Sequence, residues 1–365
     1  MPLPSKRDYA DLRRRLTSWL AARLPAGSDP QVGELEVPEG TGMSSETLLF
    51  DATWTEGGQQ RGGRFVARMA PDMSDFPVFP SYDLELQHRC LRLVASRSDV
   101  PVPDAPWLEL DETPLGSPFF VMTRVEGTAP CDMPPYPFGG WLAEATPDDR
   151  KRLMHNAVDV LARLHAIDVT GDDATFLDRP EWGDTPLTQH LAYQRWYYDW
   201  ARDGVDYPLI ERTFAWLDAH LPSEEGPVVL NWGDSRIGNI LWHDFEPAAV
   251  VDWEMASLGS PEVDLAWMVF LHRFFQDIAE RYGMAGLPDL LEREEAIRLY
   301  EERSGRKVEN FEFYEVFAAL RFAIVSLRTS ARAIAYGDMP QHDDPDDMIM
   351  HRHLIERMLD GSFWK

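Results

Sequence analysis

The sequence predicts an α+β protein of two lobes, with an antiparallel sheet in the N-terminal lobe and a larger, mainly helical C-terminal lobe. The chain has 365 residues, which is long for one compact core. Short apolar runs rich in aromatic and β-branched residues, divided by glycine pairs, fill the first third and indicate strands. Most of the later apolar residues follow the spacing of helices.

The N-terminal third begins with a predicted amphipathic helix at residues 7–24, whose apolar face carries Leu12, Leu16, Trp19, Leu20 and Leu24. Strands follow at residues 48–54, 65–69, 107–110 and 119–122, and a helix at residues 82–96. The glycine pairs at residues 57–58 and 62–63 mark a hairpin and are expected to be structural.

The remainder of the chain is predicted to be helical apart from one short interruption. A Thr-Pro-Asp-Asp sequence predicts a capped helix start at Thr146. Helices are expected at residues 147–165, 187–200, 209–220, 265–282, 292–303, 311–334 and 346–359, and strands at residues 228–230 and 248–251. The aromatic-rich helix at 187–200 fits either the core or a wall of a binding site, and the core is favoured because aromatic side chains supply large apolar area.

Composition excludes several classes of protein. A hydrophobic content of 44% and an aromatic content of 12% are typical of a folded protein. The formal net charge of -27 opposes non-specific binding to nucleic acid or to anionic membranes. This acidity fits either solubility or attraction of a cationic substrate, with solubility favoured.

The sequence also predicts a cytoplasmic protein. Cys90 and Cys131 provide neither a metal-binding spacing nor a disulfide framework. The first residues lack the apolar core of a signal peptide. No stretch approaches the ~18 apolar residues of a membrane span, and nothing in the sequence indicates an oligomeric state.

The candidate catalytic residues lie between and after the two predicted strands near residue 240. Asp234 and Asn239 have the Asp-x-x-x-x-Asn spacing of a kinase catalytic loop, and Asp252 follows on the next strand. One carboxylate can face an attacking hydroxyl, while Asn239 and Asp252 supply oxygen ligands for Mg²⁺. Arg236 can meet the charge that builds on a transferred phosphate. The alternative is a surface turn that merely contains Asp, Gly and Asn.

These motifs resemble those of the aminoglycoside phosphotransferase family, which has a protein-kinase-like fold. The family's His-Gly-Asp-x-x-x-x-Asn loop, Ile/Leu-Asp-Trp/Phe strand and Pro-x-x-Asp-Leu-Ala helix start read here as Trp232 to Asn239, residues 251–253, and residues 261–266. The resemblance runs roughly from residue 40 to the last helix. It is closest to bacterial phosphotransferases related to the kinase domains fused to some acyl-CoA dehydrogenases.

The resemblance also implies a nucleotide site. A small-residue turn containing Gly42, Ser44 and Ser45 would cover the phosphates, and Arg68 stands where the family has a phosphate-binding Lys. Glu85 would pair with Arg68, or else it faces solvent in the first turn of its helix.

The same resemblance divides the chain into a lobe of residues 1–122, a hinge of residues 123–127 and a lobe of residues 128–365. Backbone groups from Thr123 to Val125 would bind the adenine. Trp232 departs from the family His before Gly-Asp, which puts the geometry of the loop in question. Asp264 would anchor the catalytic loop, and His165 is expected to be structural.

Together these observations predict an ATP- and Mg²⁺-dependent O-phosphotransferase that acts on a hydroxyl of a small molecule. The resemblance leaves two acceptor classes open, an antibiotic of aminoglycoside type and a hydroxyacyl-CoA. Arginines in apolar helices, namely Arg273, Arg328 and Arg332, would pair with acids or meet an anionic substrate. The alternative function is an inactive nucleotide-binding sensor or scaffold of the same fold.

Overall fold

A computed structural model describes residues 7–38, 45–73 and 76–365. The first part of the chain contains α1 (Tyr9–Arg23), β1 (Gln31–Val32), β2 (Glu46–Glu56), β3 (Gln59–Met69), α2 (Leu84–Arg97), β4 (Trp107–Glu109) and β5 (Phe119–Thr123). Its strands form one five-stranded sheet in the order β1-β2-β3-β5-β4, and all neighbouring strands are antiparallel. The α+β class with an N-terminal antiparallel sheet is therefore confirmed.

The helical part contains α3 (Trp141–Glu144), α4 (Pro147–Leu164), α5 (Pro186–Ala201), α6 (Pro208–Ala219), α7 (Glu262–Arg281), α8 (Arg293–Ser304), α9 (Phe311–Ala335) and α10 (Arg352–Leu359). Its short strands are β6 (Val229–Asn231), β7 (Ile240–His243), β8 (Glu246–Val250) and β9 (Ser257–Gly259), paired β6 with β9 and β7 with β8. None of the helices in the described ranges is both long and apolar enough to cross a membrane.

The β2–β3 hairpin lies where the glycine pairs mark it. Gly57 and Gly58 form the turn with φ of 57° and 76°, the left-handed conformation that such turns require. Gly62 and Gly63 lie within β3, opposite β2. A Cβ atom on Gly62 would lie 2.4 Å from the carbonyl oxygen of Ala52, so glycine there permits a close approach of the strands.

Both faces of the sheet are covered by helices. The predicted face of α1, including Leu12, Leu16 and Trp19, packs with Phe50 and Phe119 in a first core. The opposite face of the sheet packs in the large core shared with the helical part, together with α2. The sheet therefore joins the helical part through apolar contact on one side only, while the other side is closed by α1.

The helical part follows the predictions closely at its helix starts. The Thr146 side chain accepts from the N–H of Asp149 and caps α4. Helix α10 begins at Arg352, later than predicted, because Pro345–Met348 forms a separate 3₁₀ turn. The division at residues 123–127 remains a prediction, although the sheet does end at Thr123.

Two histidines lie wholly inside the helical core as neutral rings. Nε2 of His351 lies 2.9 Å from the carbonyl oxygen of Ala319, and Nε2 of His272 lies 3.0 Å from that of Leu287. A carbonyl only accepts, so both nitrogens carry the proton in these bonds. Burial lowers the pKa of each ring to about 4, because a charged imidazolium is poorly solvated inside the core.

These histidines predict a loss of stability in mild acid. Between about pH 6.5 and pH 4 these histidines bind protons in the unfolded chain but not in the folded chain. The free energy of unfolding therefore falls as pH falls. Each histidine contributes up to about 1.4 kcal/mol per pH unit in that interval. His351→Gln should flatten the pH dependence of unfolding measured in denaturant. His243→Gln, whose side chain is 79% exposed, should keep the wild-type slope, and an unchanged slope in His351→Gln would contradict the assignment.

Candidate active site

Asp234 occupies the centre of the loop between β6 and β7. Its Oδ2 accepts from Nδ2 of Asn239 at 2.6 Å and from Nε of Arg236 at 3.2 Å. Its Oδ1 accepts from Nε1 of Trp267, on α7, at 2.7 Å. The structure thus brings together Asp234, Arg236 and Asn239 as predicted, and it holds both carboxylate oxygens of Asp234 in a defined orientation.

The loop is attached to the first turn of α7 through Asp264. Oδ2 of Asp264 accepts from the backbone N–H of Trp232 at 2.7 Å, and Oδ1 accepts from that of Gly233 at 2.8 Å. Nε2 of His165 lies 3.1 Å from Oδ2. Gly233 has φ of 90°, and a Cβ atom there would lie 2.0 Å from the carbonyl oxygen of Met255. Asp264 therefore has the anchoring contacts that the family resemblance implies.

Trp232 connects the loop to the strand end that carries Asp252. Its indole Nε1 donates to the carbonyl oxygens of Val251 at 2.9 Å and of Asp252 at 3.1 Å. The indole ring of Trp232 is fully buried, and its centre lies 6.1 Å from the centre of the Trp253 ring. Tryptophan has one N–H donor, and here two partly buried carbonyls share that donor. The loop geometry that the missing His put in question is therefore held by the indole.

Asp252 faces Arg68 across the two parts of the chain. It follows β8 with φ of 62°, a left-handed conformation that Asp adopts more readily than most residues. Its Oδ1 accepts from Nη2 of Arg68 at 3.2 Å, and Nη1 of Arg68 donates to Oγ1 of Thr47 at 3.1 Å. Arg68, from β3, is thus brought to the same site as the predicted metal ligand.

The predicted pairing of Glu85 with Arg68 is wrong. The carboxylate of Glu85 is half exposed and lies 3.9 Å from the guanidinium of Arg89, one turn further along α2. Position 85 falls on the solvent side of the first helical turn, where a carboxylate interacts favourably with the helix dipole. Arg68 extends toward Asp252 instead, so Glu85 does not join the cluster.

The other predicted nucleotide-binding residues lie along the sheet, as far as the structure describes them. Gly42 and Ser44 lie outside the described residues. Ser45 is buried just before β2, and its Oγ has no hydrogen-bond partner among the described residues. Thr123 ends β5 and donates its backbone N–H to Asp104 O at 2.8 Å. Val125 lies just beyond this strand end, and its backbone N–H forms no hydrogen bond within the described ranges.

Arg236 is held by two carboxylates. Its Nη1 donates to Oδ1 and Oδ2 of Asp132 at 2.8 and 2.6 Å, in addition to the bond to Asp234. Burial would lower the pKa of Arg236, but the charges of Asp234 and Asp132 raise it above the ordinary value. Arg236 therefore remains a cation beside the carboxylate of Asp234. Asp132 was not predicted, because it lies about a hundred residues earlier in an irregular segment.

The side chains of Asn239 and Asp252 fit a Mg²⁺ ion that also binds phosphates. Both bonds that Asn239 donates to Asp234 use its Nδ2, which leaves its amide oxygen available. Asp252 uses only Oδ1 in its contact with Arg68. Mg²⁺ prefers oxygen ligands and commonly takes one or two protein groups together with phosphates and water. In the described ranges, no three His, Cys, Asp or Glu side chains form a metal site by themselves.

A cavity opens beside the catalytic loop, and we refer to it as the side cavity. It lies between α5, the N-terminal half of α9, residues 254–258 and residues 79–83, and encloses about 780 Å³ including its open mouth. Tyr197 and Tyr198 of α5 are buried, in agreement with the assignment of this helix to the core that the sequence favours. Tyr193 and Tyr197 also line the side cavity. The aromatic helix therefore serves the core and the cavity wall together.

Arg321 is the main residue of this region that the sequence did not reveal. It lies on α9, 3% exposed, and lines the side cavity. Its Nη2 donates to Gly233 O at 2.8 Å, and its guanidinium lies 4.3 Å from the centre of the Trp267 ring. An arginine within an apolar run was the available signal. Of the arginines selected on that basis, Arg273 pairs with Glu280 at 3.0 Å, while Arg328 donates to Pro77 O.

Comparison with known proteins identifies the family. A model described as "Phosphotransferase enzyme family" (APH) matches residues 49–300, which include the catalytic loop, Asp252 and Asp264. The chain belongs to this family. The match covers most of the chain, and it confirms the resemblance drawn from the motifs.

The curated relatives are much longer proteins. Mouse acyl-CoA dehydrogenase family member 10 is 28% identical over 275 residues, which are 72% of this chain and 24% of that protein. Arabidopsis thaliana probable acyl-CoA dehydrogenase IBR3 is 26% identical over 304 residues, 78% of this chain and 35% of that protein. The chain thus spans about a quarter to a third of the length of these two relatives.

Solved structures of phosphotransferases share the fold. A Ralstonia eutropha protein assigned to the aminoglycoside phosphotransferases has a TM-score of 0.64 at 22% identity, with 96% of this chain and 98% of that chain covered. The macrolide 2'-phosphotransferase MphH of Brachybacterium faecium has a TM-score of 0.53 at 20% identity, with 94% and 97% covered. At these identities the likeness shows the bilobal kinase-like fold and no substrate.

The indole bonds of Trp232 predict a cost on removal. Trp232→Phe should lower the free energy of unfolding by roughly 0.5–1.5 kcal/mol, because two partly buried carbonyl oxygens lose the donor that they share. The measurement is equilibrium unfolding in denaturant. Trp253→Phe is the matched control, since Nε1 of Trp253 makes one longer bond of 3.3 Å to Val250 O. A smaller loss for Trp232→Phe than for Trp253→Phe would refute the role given to the indole.

Proposed function

We propose that this chain transfers the γ-phosphate of Mg-ATP to a hydroxyl of a small molecule. The observation that supports the proposal is the position of Asp234, whose carboxylate is oriented by Trp267 and Asn239 within the same cluster as Arg236. In phosphoryl transfer the protein mainly positions the reactants and stabilises charge. The cluster supplies both, because Asp234 can position the acceptor and Arg236 carries a positive charge.

Asp234 acts on the acceptor. The acceptor hydroxyl donates its hydrogen bond to the carboxylate of Asp234, which orients the hydroxyl oxygen toward the γ-phosphorus. As the new oxygen–phosphorus bond forms, the bond from the γ-phosphorus to the β-γ bridging oxygen breaks and ADP leaves. The hydroxyl proton passes to Asp234. Trp267 keeps one carboxylate oxygen in place while Asn239 and Arg236 hold the other.

The cations and the hinge hold the nucleotide. Arg68 and Arg236 bind phosphate oxygens, and a guanidinium can bind two oxygens at once. Asn239 and Asp252 would hold Mg²⁺, which neutralises phosphate charge when it is bound. Ser45, with Gly42 and Ser44, covers the phosphates. Between the lobes of residues 1–122 and 128–365, Thr123 and Val125 offer backbone groups to the adenine.

Two comparisons point to different classes of acceptor. One structure of the same fold, aminoglycoside phosphotransferase APH(2")-IIIa, is a complex with GDP and kanamycin. The curated relatives are acyl-CoA dehydrogenases, which supports a hydroxyacyl-CoA acceptor. No contact in the described ranges favours a function other than phosphoryl transfer. A protein that binds the nucleotide without turnover would be an inactive sensor of the same fold. A cytoplasmic location remains a proposal from the sequence.

The test of the proposal is acceptor-dependent release of ADP from Mg-ATP. Asp234→Asn should lower turnover by roughly 10²–10⁴-fold, because the amide cannot take the hydroxyl proton. The variant should still gain thermal stability from Mg-ATP. Asp244→Asn is the matched control, since its side chain is 88% exposed in the turn after β7. Full turnover in Asp234→Asn would refute the assignment, and Mg-ATP binding without turnover in the wild type would favour the sensor.

A further inference from the structure

The side cavity contains buried polar atoms that the fold leaves without partners. Among the described residues, Nε and Nη1 of Arg321, Nε2 of His190, Oε1 of Gln194 and Oγ of Ser257 form no hydrogen bond, and all four residues line this cavity. A buried polar group without a partner is costly, and native structures contain few of them. Their concentration around one cavity indicates that the cavity is built to receive a polar molecule.

Arg321 is the strongest of these groups. It is nine-tenths or more buried, and a guanidinium presents its donors in a fixed plane. Only Nη2 is used by the fold, in the bond to Gly233 O. Burial lowers the pKa of Arg321 to about 10, so the group remains a cation at neutral pH. The Nε–H and Nη1 groups, which point from different edges of the guanidinium, are therefore donors that the fold leaves unused.

The unused donors of Arg321 favour an oxygen ligand over an amine. The charged residues that line the cavity are Arg321, Arg179, Asp83 and Glu254. Asp83 already accepts from the N–H of Leu86 and caps α2. The ring of His190 is neutral, because burial lowers its pKa to about 4. A polycation would therefore meet the buried cation of Arg321, whereas an oxygen ligand would receive its unused hydrogen bonds.

Arg321 is also connected to the proposed catalytic base. Its guanidinium lies over the Trp267 ring at 4.3 Å, and Nε1 of the same ring donates to Oδ1 of Asp234. Its Nη2 binds the carbonyl oxygen of Gly233, the residue before Asp234. The side cavity therefore adjoins the loop that carries Asp234, which is the arrangement that an acceptor with its hydroxyl at Asp234 and a second oxygen at Arg321 would need.

We propose that Arg321 is the specificity-determining residue for the acceptor, and that it binds a carboxylate or carbonyl oxygen of a hydroxy acid or its thioester. This inference rests on the proposed function, because it assigns the acceptor end of the same site. Ser257 and Gln194 complete the polar wall, and Tyr193 supplies an aromatic surface to the carbon skeleton. Tyr193 also contacts Trp182 and Trp196, so the apolar wall continues beyond the cavity.

The test separates binding from turnover. Calorimetry measures binding of short-chain hydroxy acids, their thioesters and aminoglycosides to the full chain in the presence of Mg-ADP, and ADP release from Mg-ATP measures turnover. Arg321→Lys keeps the charge and a donor for Gly233 O but loses the unused Nε and Nη1 donors of the guanidinium. It should weaken binding of the preferred oxygen ligand roughly ten- to hundredfold, and the KM for ATP should stay within about twofold of wild type.

A matched control lies two turns further along α9. Arg328 also lies over a tryptophan ring, at 4.4 Å from Trp200, and donates to a backbone carbonyl, Pro77 O, but it does not line the cavity. Arg328→Lys should leave acceptor affinity unchanged. Ser257→Ala removes a hydroxyl that has no partner, so it should weaken acceptor binding severalfold while the melting temperature stays the same.

The possible results distinguish the two proposals. Acids binding more tightly than thioesters identifies a free carboxylate, and the reverse identifies the thioester carbonyl. Equal affinity in Arg321→Lys and the wild type overturns the inference, as does binding of aminoglycosides alone or of no member of the oxygen-bearing panel. Oxygen ligands that bind through Arg321 without releasing ADP would support this inference and refute the proposed transfer.

Discussion

The buried carboxylate of Asp264 is the contact on which the site depends. It accepts from two successive backbone N–H groups of the catalytic loop and lies beside the ring of His165, with no exposure to solvent. A buried charge without such partners is strongly unfavourable, so the loop and the carboxylate require each other. Because Asp264 belongs to the first turn of α7, the loop is positioned by a long helix packed in the core. Trp267, one turn later on the same helix, then orients Asp234.

The sequence predicts those parts of the site that are close together in the chain. Asp234, Asn239 and Asp252 are recognised because their spacing matches a chemical task, and Asp264 because it belongs to a motif. The contacts of Arg321 with Gly233 and of Asp132 with Arg236 join residues about ninety and a hundred positions apart. Such pairs are decided by the packing of elements that no local pattern describes. The same holds for the pairing of Arg68 with Asp252 instead of Glu85.

The fold was predicted best where a periodic apolar face or a cap is present. The face of α1 and the cap at Thr146 depend on local spacing and local hydrogen bonds, so the sequence carries them. The strand β7 was missed because it is four residues long and follows directly on the 3₁₀ turn Ile237–Asn239. The glycine pairs mark the β2–β3 hairpin, but the close contact of Gly62 with β2 is visible only once the partner strand is in place.

The left-handed backbone at Asp252 has an evolutionary consequence. Positive φ restricts this position mainly to Gly, Asn and Asp, and of these only Asp gives Arg68 the ion pair that is observed. Replacement by Asn changes one carboxylate oxygen to an amide and leaves the backbone conformation accessible. A descendant with that single replacement would keep its architecture and lose the charge that faces Arg68. Under the proposed function, this single replacement separates a transferring protein from a folded, non-catalytic one, and position 252 is where such a divergence would be recorded.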